Sequence, residues 1–374
     1  MAILQKGRFF IRVALCYFFK IFMYFDAFFL DKLLYFYTNT RYTMTVIGRD
    51  NLCIGFGTAL CQKRNPSKKK GITKMIIKNY RDNKELRQSF NELARQTFDI
   101  DFEDWYQNGF WSDGYRPYSI VLNGKVAANV SVSHMNFIRH GQRKFYIQLG
   151  TVMTDKAYRN RGFIRQIMAE IEKDYRMRTD GVYLFANDSV LDFYPKFGFR
   201  KADEYQYSGK IIAETSSIPI SDKERSFGKE PVIEQIPMRD KTAWTLLEQA
   251  VRRSVPQSAF EMTDNSGLIM FYVTKYMREN VFYHKELDAY VIAETENDRL
   301  LLHNIFAPHP VDIMQIVNDW GGNIRQVILG FTPQNHGALT LALRKEDDCT
   351  LFLKGSGFER FEMDRMMFPT LSHA

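Results

Sequence analysis

The sequence predicts an α/β (α+β) fold in which an antiparallel meander feeds a β-α-β unit, and three observations carry that prediction. The first is Gly150–Met168, GTVMTDKAYRNRGFIRQIM. It reads as a strand over Ile147–Met153, a turn rich in Arg and Gly, and a helix. Ile164, Ile167, Met168, Ile171 and Tyr175 fall at i, i+3, i+4, i+7 and i+11, which is one helical face. The second is Gly181–Ala186, GVYLFA, a short apolar run of the kind that forms a buried strand. The third is a pair of two-residue punctuations, Asn123-Gly124 and His140-Gly141, each between alternating apolar segments, as in tight hairpins.

The elements follow in order from Met75. Met75-Ile76-Ile77-Lys78 opens a strand, and Asn83–Phe98 a helix with Leu86, Phe90, Leu93 and Ala94 as its apolar stripe. An aromatic loop region leads to a strand near Tyr118–Leu122. The Asn123-Gly124 turn passes the chain into Lys125–Met135, and the second hairpin into the strand at 145–153. In the C-terminal part, Asp288–Glu294 and Arg299–Ala307 read as a hairpin, Val311–Trp320 as a helix and Gln326–Phe331 as a strand. The strand–helix–strand order thus recurs, with a faint echo of Phe197–Lys201 in Leu353–Arg360. The stretch 214–231 is polar and rich in chain breakers, as a linker is. The expected organisation is an extension over 1–74, a domain over 75–216 and a second domain over 217–374.

The turn Arg159-Asn160-Arg161-Gly162 precedes a helix, where free N–H groups and the positive end of the macrodipole face outward. A phosphate or pyrophosphate suits such a place; a solvated basic turn is the alternative. The order of residues resembles the acyl-CoA motif of the GNAT acetyltransferases, whose helix opens Arg/Gln-x-x-Gly-x-Gly/Ala. Here it reads Arg159-Asn160-Arg161-Gly162-Phe163-Ile164, with Ile164 as the departure. A second segment resembles the same family: after the strand Gly181–Ala186 come Asn187 and Tyr194-Pro195-Lys196-Phe197-Gly198-Phe199, matching the family's Asn and its Tyr-x-x-x-Gly-Phe. The resemblance implies a GNAT fold, a central mixed and mostly antiparallel sheet flanked by helices. The second half is expected to be GNAT-like without an acyl-CoA site, an unrelated α/β domain being the alternative. Pro308-His309-Pro310 stands there in place of Arg-x-x-Gly, and prolines donate no N–H.

The resemblance also implies a function, an acyl-CoA-dependent N-acyltransferase that passes an acetyl group from acetyl-CoA directly to a primary amine. The turn Arg159–Ile164 would hold the pyrophosphate. Val152, Met153 and Thr154 would pair with the pantetheine and polarise the carbonyl. Asn187 would orient the cofactor amide; its plainer use is a helix cap. Tyr194 would be the general acid that protonates the thiolate; its plainer role is core packing beside Phe193 and Phe197. Trp105, Tyr106, Trp111, Tyr115 and Tyr118 would line the acceptor side, or pack as core. The base is unassigned, with the carboxylate of Ala374 an outside candidate. The acceptor is expected to be a small-molecule or protein amine. A non-catalytic acyl-CoA-binding or regulatory protein is the alternative.

Charge and cysteine usage bound the rest. The chain of 374 residues carries a formal charge of +8, which points to nucleic acid or membrane until it is located. Residues 1–74 hold 13 Lys and Arg against 3 Asp and no Glu, and the remaining 300 residues are near balance at −2. The basic character therefore says nothing about the catalytic part, and no nucleic-acid partner is expected. Cys349 alone lies beyond residue 74, which fits a reducing, cytoplasmic setting. No His/Cys cluster has metal-ligand spacing, so no metal is expected.

Residues 8–37 are apolar and aromatic, but their longest uncharged run, Val13–Phe19, is far short of the roughly 20 residues a spanning helix needs. A membrane-associated helix, a partner-binding helix and residues encoded upstream of the true start are three readings. The last is preferred, because Lys68-Lys69-Lys70-Gly71 requires a purine-rich codon run placed like a bacterial ribosome-binding site before Met75. No membrane contact is expected for residues 75–374.

Overall fold

The computed structural model describes residues 74–211, 231–321 and 323–374. The expectations about residues 1–73, and about most of the 214–231 stretch, fall outside the described residues.

Local chemistry sets the first elements. After β1 (Lys74–Lys78), α1 (Lys84–Phe98) starts where the Asn83 side chain accepts the Leu86 N–H at 3.0 Å. It ends at Asp99 in the left-handed region, φ +55°. A short α2 (Glu103–Gln107) leads into the meander β2 (Tyr115–Leu122), β3 (Lys125–Arg139) and β4 (Gln142–Thr154). Both connecting turns are two residues with positive φ, Asn123 at +50° with Gly124 at +80°, and His140 at +47° with Gly141 at +77°. That is the turn whose twist suits a hairpin. Then come α3 (Phe163–Tyr175), β5 (Gly181–Ala186), β6 (Arg200–Lys201) and β7 (Tyr205–Lys210). The later part holds β8 (Ile233–Gln235), α4 (Lys241–Arg253), β9 (Phe260–Thr263), α5 (Ser266–Lys275), β10 (Val281–His284), β11 (Ala289–Glu296) and β12 (Arg299–Phe306). It closes with α6 (Ile313–Asp319), β13 (Gln326–Leu329), β14 (Thr340–Leu343) and β15 (Thr350–Lys354).

These strands make two mixed, mostly antiparallel sheets flanked by helices, as the sequence predicts. The first runs β1-β2-β3-β4-β5-β15-β6, with β9 paired to the far end of β3. The second runs β14-β7-β13-β12-β11-β10-β8. Strands cross between the halves of the chain. β7 pairs with β13 and β14 of the second sheet, while β15 lies between β5 and β6 of the first. The sheets therefore do not divide where the polar stretch does.

α3 covers one face of the first sheet, with Ile167, Met168, Ile171 and Tyr175 packed over Val130, Val132 and Leu149. The other face meets α1, α2, α5 and the last residues of the chain in a core shared with the second half. This shared core is rich in rings: Phe102 lies on Phe271 at 5.6 Å and Phe137 on Phe260 at 4.3 Å. No helix among the described residues is long and apolar enough to cross a membrane.

Candidate active site

β4 is where the first sheet opens. It pairs in parallel with β5 only from Tyr146↔Gly181 to Gln148↔Tyr183. Beyond that point β4 continues to Thr154 and β5 to Ala186, so the two strands part and leave a wedge. Just past the fork β4 bulges. Asn129 faces Met153 and Ser131 faces Gly150, so Thr151 and Val152 share one opposing residue, Val130. Thr151 takes φ +47°, a region usually left to glycine at this type of bulge. A β-branched residue there costs about 1–3 kcal/mol, which the surroundings must supply. Val152, Met153 and Thr154 form the arm of the wedge beyond the bulge, with Met153 buried and its neighbours half-buried.

The turn beyond β4 presents a helix start. Asp155 caps the single turn Lys156–Tyr158, and the chain then passes Arg159, Asn160 at φ +61°, Arg161 and Gly162 at φ +69°. Gly162 is required by its backbone angle, because a Cβ there would meet nothing within 4 Å. The first rung of α3 is Gln166 N–H to Gly162 O at 3.2 Å. The N–H groups of Phe163, Ile164 and Arg165 thus precede the ladder, with no side-chain cap over them. Phe163 is buried and Ile164 half-buried against the core, so the bulk of Ile164 is directed into packing. The Arg161 guanidinium sits 5.2 Å over the Tyr158 ring. Lys74 adds a cation that sequence reasoning missed: its Nζ donates to Gln166 Oε1 and lies 4.8 Å from the Phe163 ring. Nothing local in the sequence links two residues 92 apart.

Tyr194 stands in a short turn, Tyr194–Phe197, on the same side of the sheet as α3. It is 6 % exposed, with Phe193 at 5.3 Å, Phe352 at 5.6 Å and Phe199 at 6.2 Å around its ring. Its hydroxyl has no hydrogen-bond partner among the described residues. Burial raises the phenol to about 12, so it stays protonated at neutral pH. Asn187 follows β5 at the open end of the wedge and accepts the Ser189 hydroxyl at 2.5 Å, without capping a backbone N–H. Between α3 and this turn lies a groove of roughly 540 Å³, walled by Met168, Ile171, Phe197 and Phe199.

The five aromatic residues named for the acceptor side part company. Trp105, Trp111 and Tyr115 pack together on the face away from α3, with Trp105 on Trp111 at 5.7 Å and Tyr115 edge-on to both at 5.3 Å. Tyr106 sits outside them beneath Arg87, whose guanidinium is 3.6 Å from its ring. Tyr118 lies on the opposite face, where its hydroxyl donates to Asp174 at 2.8 Å. Strand alternation separates Tyr118 from Tyr115, since an odd spacing along β2 reverses the side.

A small void of about 10 Å³, room for about one water, lies between Trp105, Tyr115, Ser133, Asn265, Leu268 and Ala374. The Ser133 hydroxyl in it is buried and has no partner among the described residues. Gln148, the last β4 residue before the fork, holds Ala374 from both sides: it accepts the Ala374 N–H at 2.9 Å and donates to its oxygen at 3.2 Å. That oxygen would lie 2.4 Å from a Cβ on Gly150, so glycine is what lets Ala374 reach β4. Sequence reasoning could name Ala374 only by its place in the chain; the fold brings it to the wedge.

In the second half, β12 and β13 also run parallel around a helix, α6. Their pairing extends from Arg299↔Gln326 to Leu302↔Leu329, and Pro308 and Pro310 follow β12 where the first half has its basic turn.

Residues 82–199 match the profile of the acetyltransferase (GNAT) family, and the chain carries a domain of that family. A probable N-acyltransferase from Enterococcus faecalis V583 shares the fold, with a TM-score of 0.50 and 14% identity over 77% of this chain and 74% of that one. Eis1 from Mycobacterium abscessus aligns with a TM-score of 0.47 and 13% identity, covering 75% of this chain and 72% of its own. A GCN5-related N-acetyltransferase from Kribbella flavida gives 0.44 and 15%, covering 75% and 70%. No curated protein matches the chain.

Proposed function

We propose that this protein transfers an acetyl group from acetyl-CoA to a primary amine, both substrates being bound together. The observation that carries this reading is the coincidence of two features at one end of β4: a wedge opening at the bulge, and an uncapped helix start after it. Acetyl-CoA, when bound, supplies an activated acyl carbon and a thiolate leaving group. The N–H groups of Phe163, Ile164 and Arg165 suit the pyrophosphate, with Arg159, Asn160, Arg161 and Gly162 shaping the turn around it. The open edge of β4 at Val152–Thr154 suits the amide-bearing arm, and backbone N–H groups there polarise the acyl carbonyl. Asn187 orients the same arm from the β5 side.

Tyr194 donates a hydrogen bond where the thiolate forms. Held at about 12, the phenol supports the developing charge without wholly giving up its proton to a thiol whose ordinary pKa is about 8.5. Over the reaction one proton leaves the amine and one arrives at sulfur, so no further reactant is needed. The acceptor approaches the wedge from the sheet face opposite α3, on the side where Ala374 meets β4.

The test is titration of the full chain with acetyl-CoA, followed by thiol release against a panel of amines. Saturable binding with amine-dependent release of CoA is expected. Binding without release from any amine would favour a non-catalytic acyl-CoA-binding protein, and absence of binding would overturn both readings.

A further inference from the structure

Resting on that reading, we infer that Asn129 and Tyr115 are positioning residues for acyl transfer: they lock the Thr151 bulge in the shape that aims the β4 backbone at the acyl carbonyl. The bulge is in an unfavourable conformation for its residue, a threonine at φ +47°. Two bonds hold it. Asn129 Nδ2 donates to Thr151 O at 2.9 Å, and the hydroxyls of Tyr115 and Thr151 are bonded at 2.7 Å. One grips the main chain and the other the side chain of the same strained residue.

These grips are themselves fixed. Asn129 is fully buried, and its second amide hydrogen goes to Ser131 Oγ at 2.9 Å. The Ser119 hydroxyl donates to Asn129 Oδ1 at 2.8 Å, which leaves Tyr80 as the donor in the 2.6 Å bond between Tyr80 and Ser119. The Thr151 carbonyl can only accept, so the Asn129 nitrogen must face it, and the amide oxygen is left to face Ser119. A buried relay of defined polarity, Tyr80 to Ser119 to Asn129 to Thr151, therefore ends on the bulge. Neither α3 nor the basic turn takes part, so cofactor capture and carbonyl alignment rest on different side chains.

The two functions should separate on mutation. Asn129→Leu removes the main-chain grip at similar size. In the full chain it should leave acetyl-CoA affinity within about threefold and lower turnover at least about tenfold, up to the roughly 10²–10³-fold lost when an oxyanion donor itself is removed. A readout that needs no acceptor is the infrared stretch of the ¹³C-labelled carbonyl of bound acetyl-CoA. It should be shifted down in the parent and move back toward the free value in Asn129→Leu. Adding Thr151→Gly, which accepts positive φ without a clamp, should recover part of the shift.

Should Asn129→Leu fail to fold, Tyr115→Phe, which removes only one hydroxyl, carries the same test with a smaller effect expected. A variant that folds, binds acetyl-CoA and keeps the parent's carbonyl shift overturns the clamp and leaves the acyl-CoA reading intact. A parent that binds no acetyl-CoA overturns that reading, and the clamp with it.

Discussion

Tyr194→Phe keeps the ring among Phe193, Phe199 and Phe352 and deletes only a hydroxyl with no partner among the described residues. Acetyl-CoA affinity and melting temperature should hardly change. Turnover should fall about 10²–10³-fold, the usual loss for one hydrogen-bond donor to a developing anion. Parent-like turnover in the Phe variant, measured with any accepted amine, would mean that solvent serves the thiolate. The turn at Tyr194–Phe197 was legible in the sequence because a spaced motif marks it. The grip on Thr151 was not. Asn129 and Thr151 are 22 residues apart, and what joins them is the register of two strands, which no local pattern encodes.

Gly150 shows the same dependence one step outward. Any Cβ there collides with the Ala374 backbone, so Gly150→Ala should unseat the last residue from Gln148 while leaving α3 and its turn untouched. Acetyl-CoA binding should persist, and the KM for the amine should rise. Unchanged amine kinetics would place the acceptor elsewhere.

Among the elements, β9 carries an electrostatic strain that can be measured. Glu261 lies within it, buried, its carboxylate accepting from the Ser258 hydroxyl, and desolvation raises its pKa from 4.5 to about 7. Between those values the unfolded chain releases the proton and the folded chain keeps it. The folded state therefore loses relative stability as pH rises through this window, by about 3 kcal/mol in all. Denaturant unfolding at pH 5 and pH 8 should show the parent losing about 2 kcal/mol more than Glu261→Gln does. Equal pH dependence in the two would mean that Glu261 ionises normally.

Helices and hairpins were readable at this scale because each carries its own signal. Asn83 begins α1, and Asn123-Gly124 turns β2 into β3. The destinations of β9 and β15 were not readable, since a strand of four or five residues names its own faces but not its neighbour.

For the whole molecule, acetyl-CoA should titrate to one site per chain. β12 is followed by Pro308 and Pro310, which offer no N–H to a phosphate. Calorimetry giving two equivalents would overturn this. The exchanged strands make a second prediction. Residues 75–216 alone would lack β15, leaving β5 and β6 without their shared partner, so that fragment should fail to fold, and the full chain should unfold in one transition. A soluble, cooperative fragment would show that the first sheet closes without β15. The two-sheet architecture was visible as a repeated strand–helix–strand order; the crossing was hidden because it joins residues far apart in sequence.

The crossing also sets a schedule for the nascent chain. β5 leaves the ribosome long before β15 is made, on the order of ten seconds earlier at ordinary rates of elongation. Through that interval one edge of β5 is an unpaired row of N–H and C=O groups beside a half-built core, a template for the wrong strand. A ribosome that stalls between the two leaves a polypeptide that already carries residues 82–199, the segment matching the acetyltransferase profile, and no finished sheet to mount it on. Such a product exposes what chaperones and proteases recognise, and only the synthesis of β15 gives β5 and β6 their shared partner.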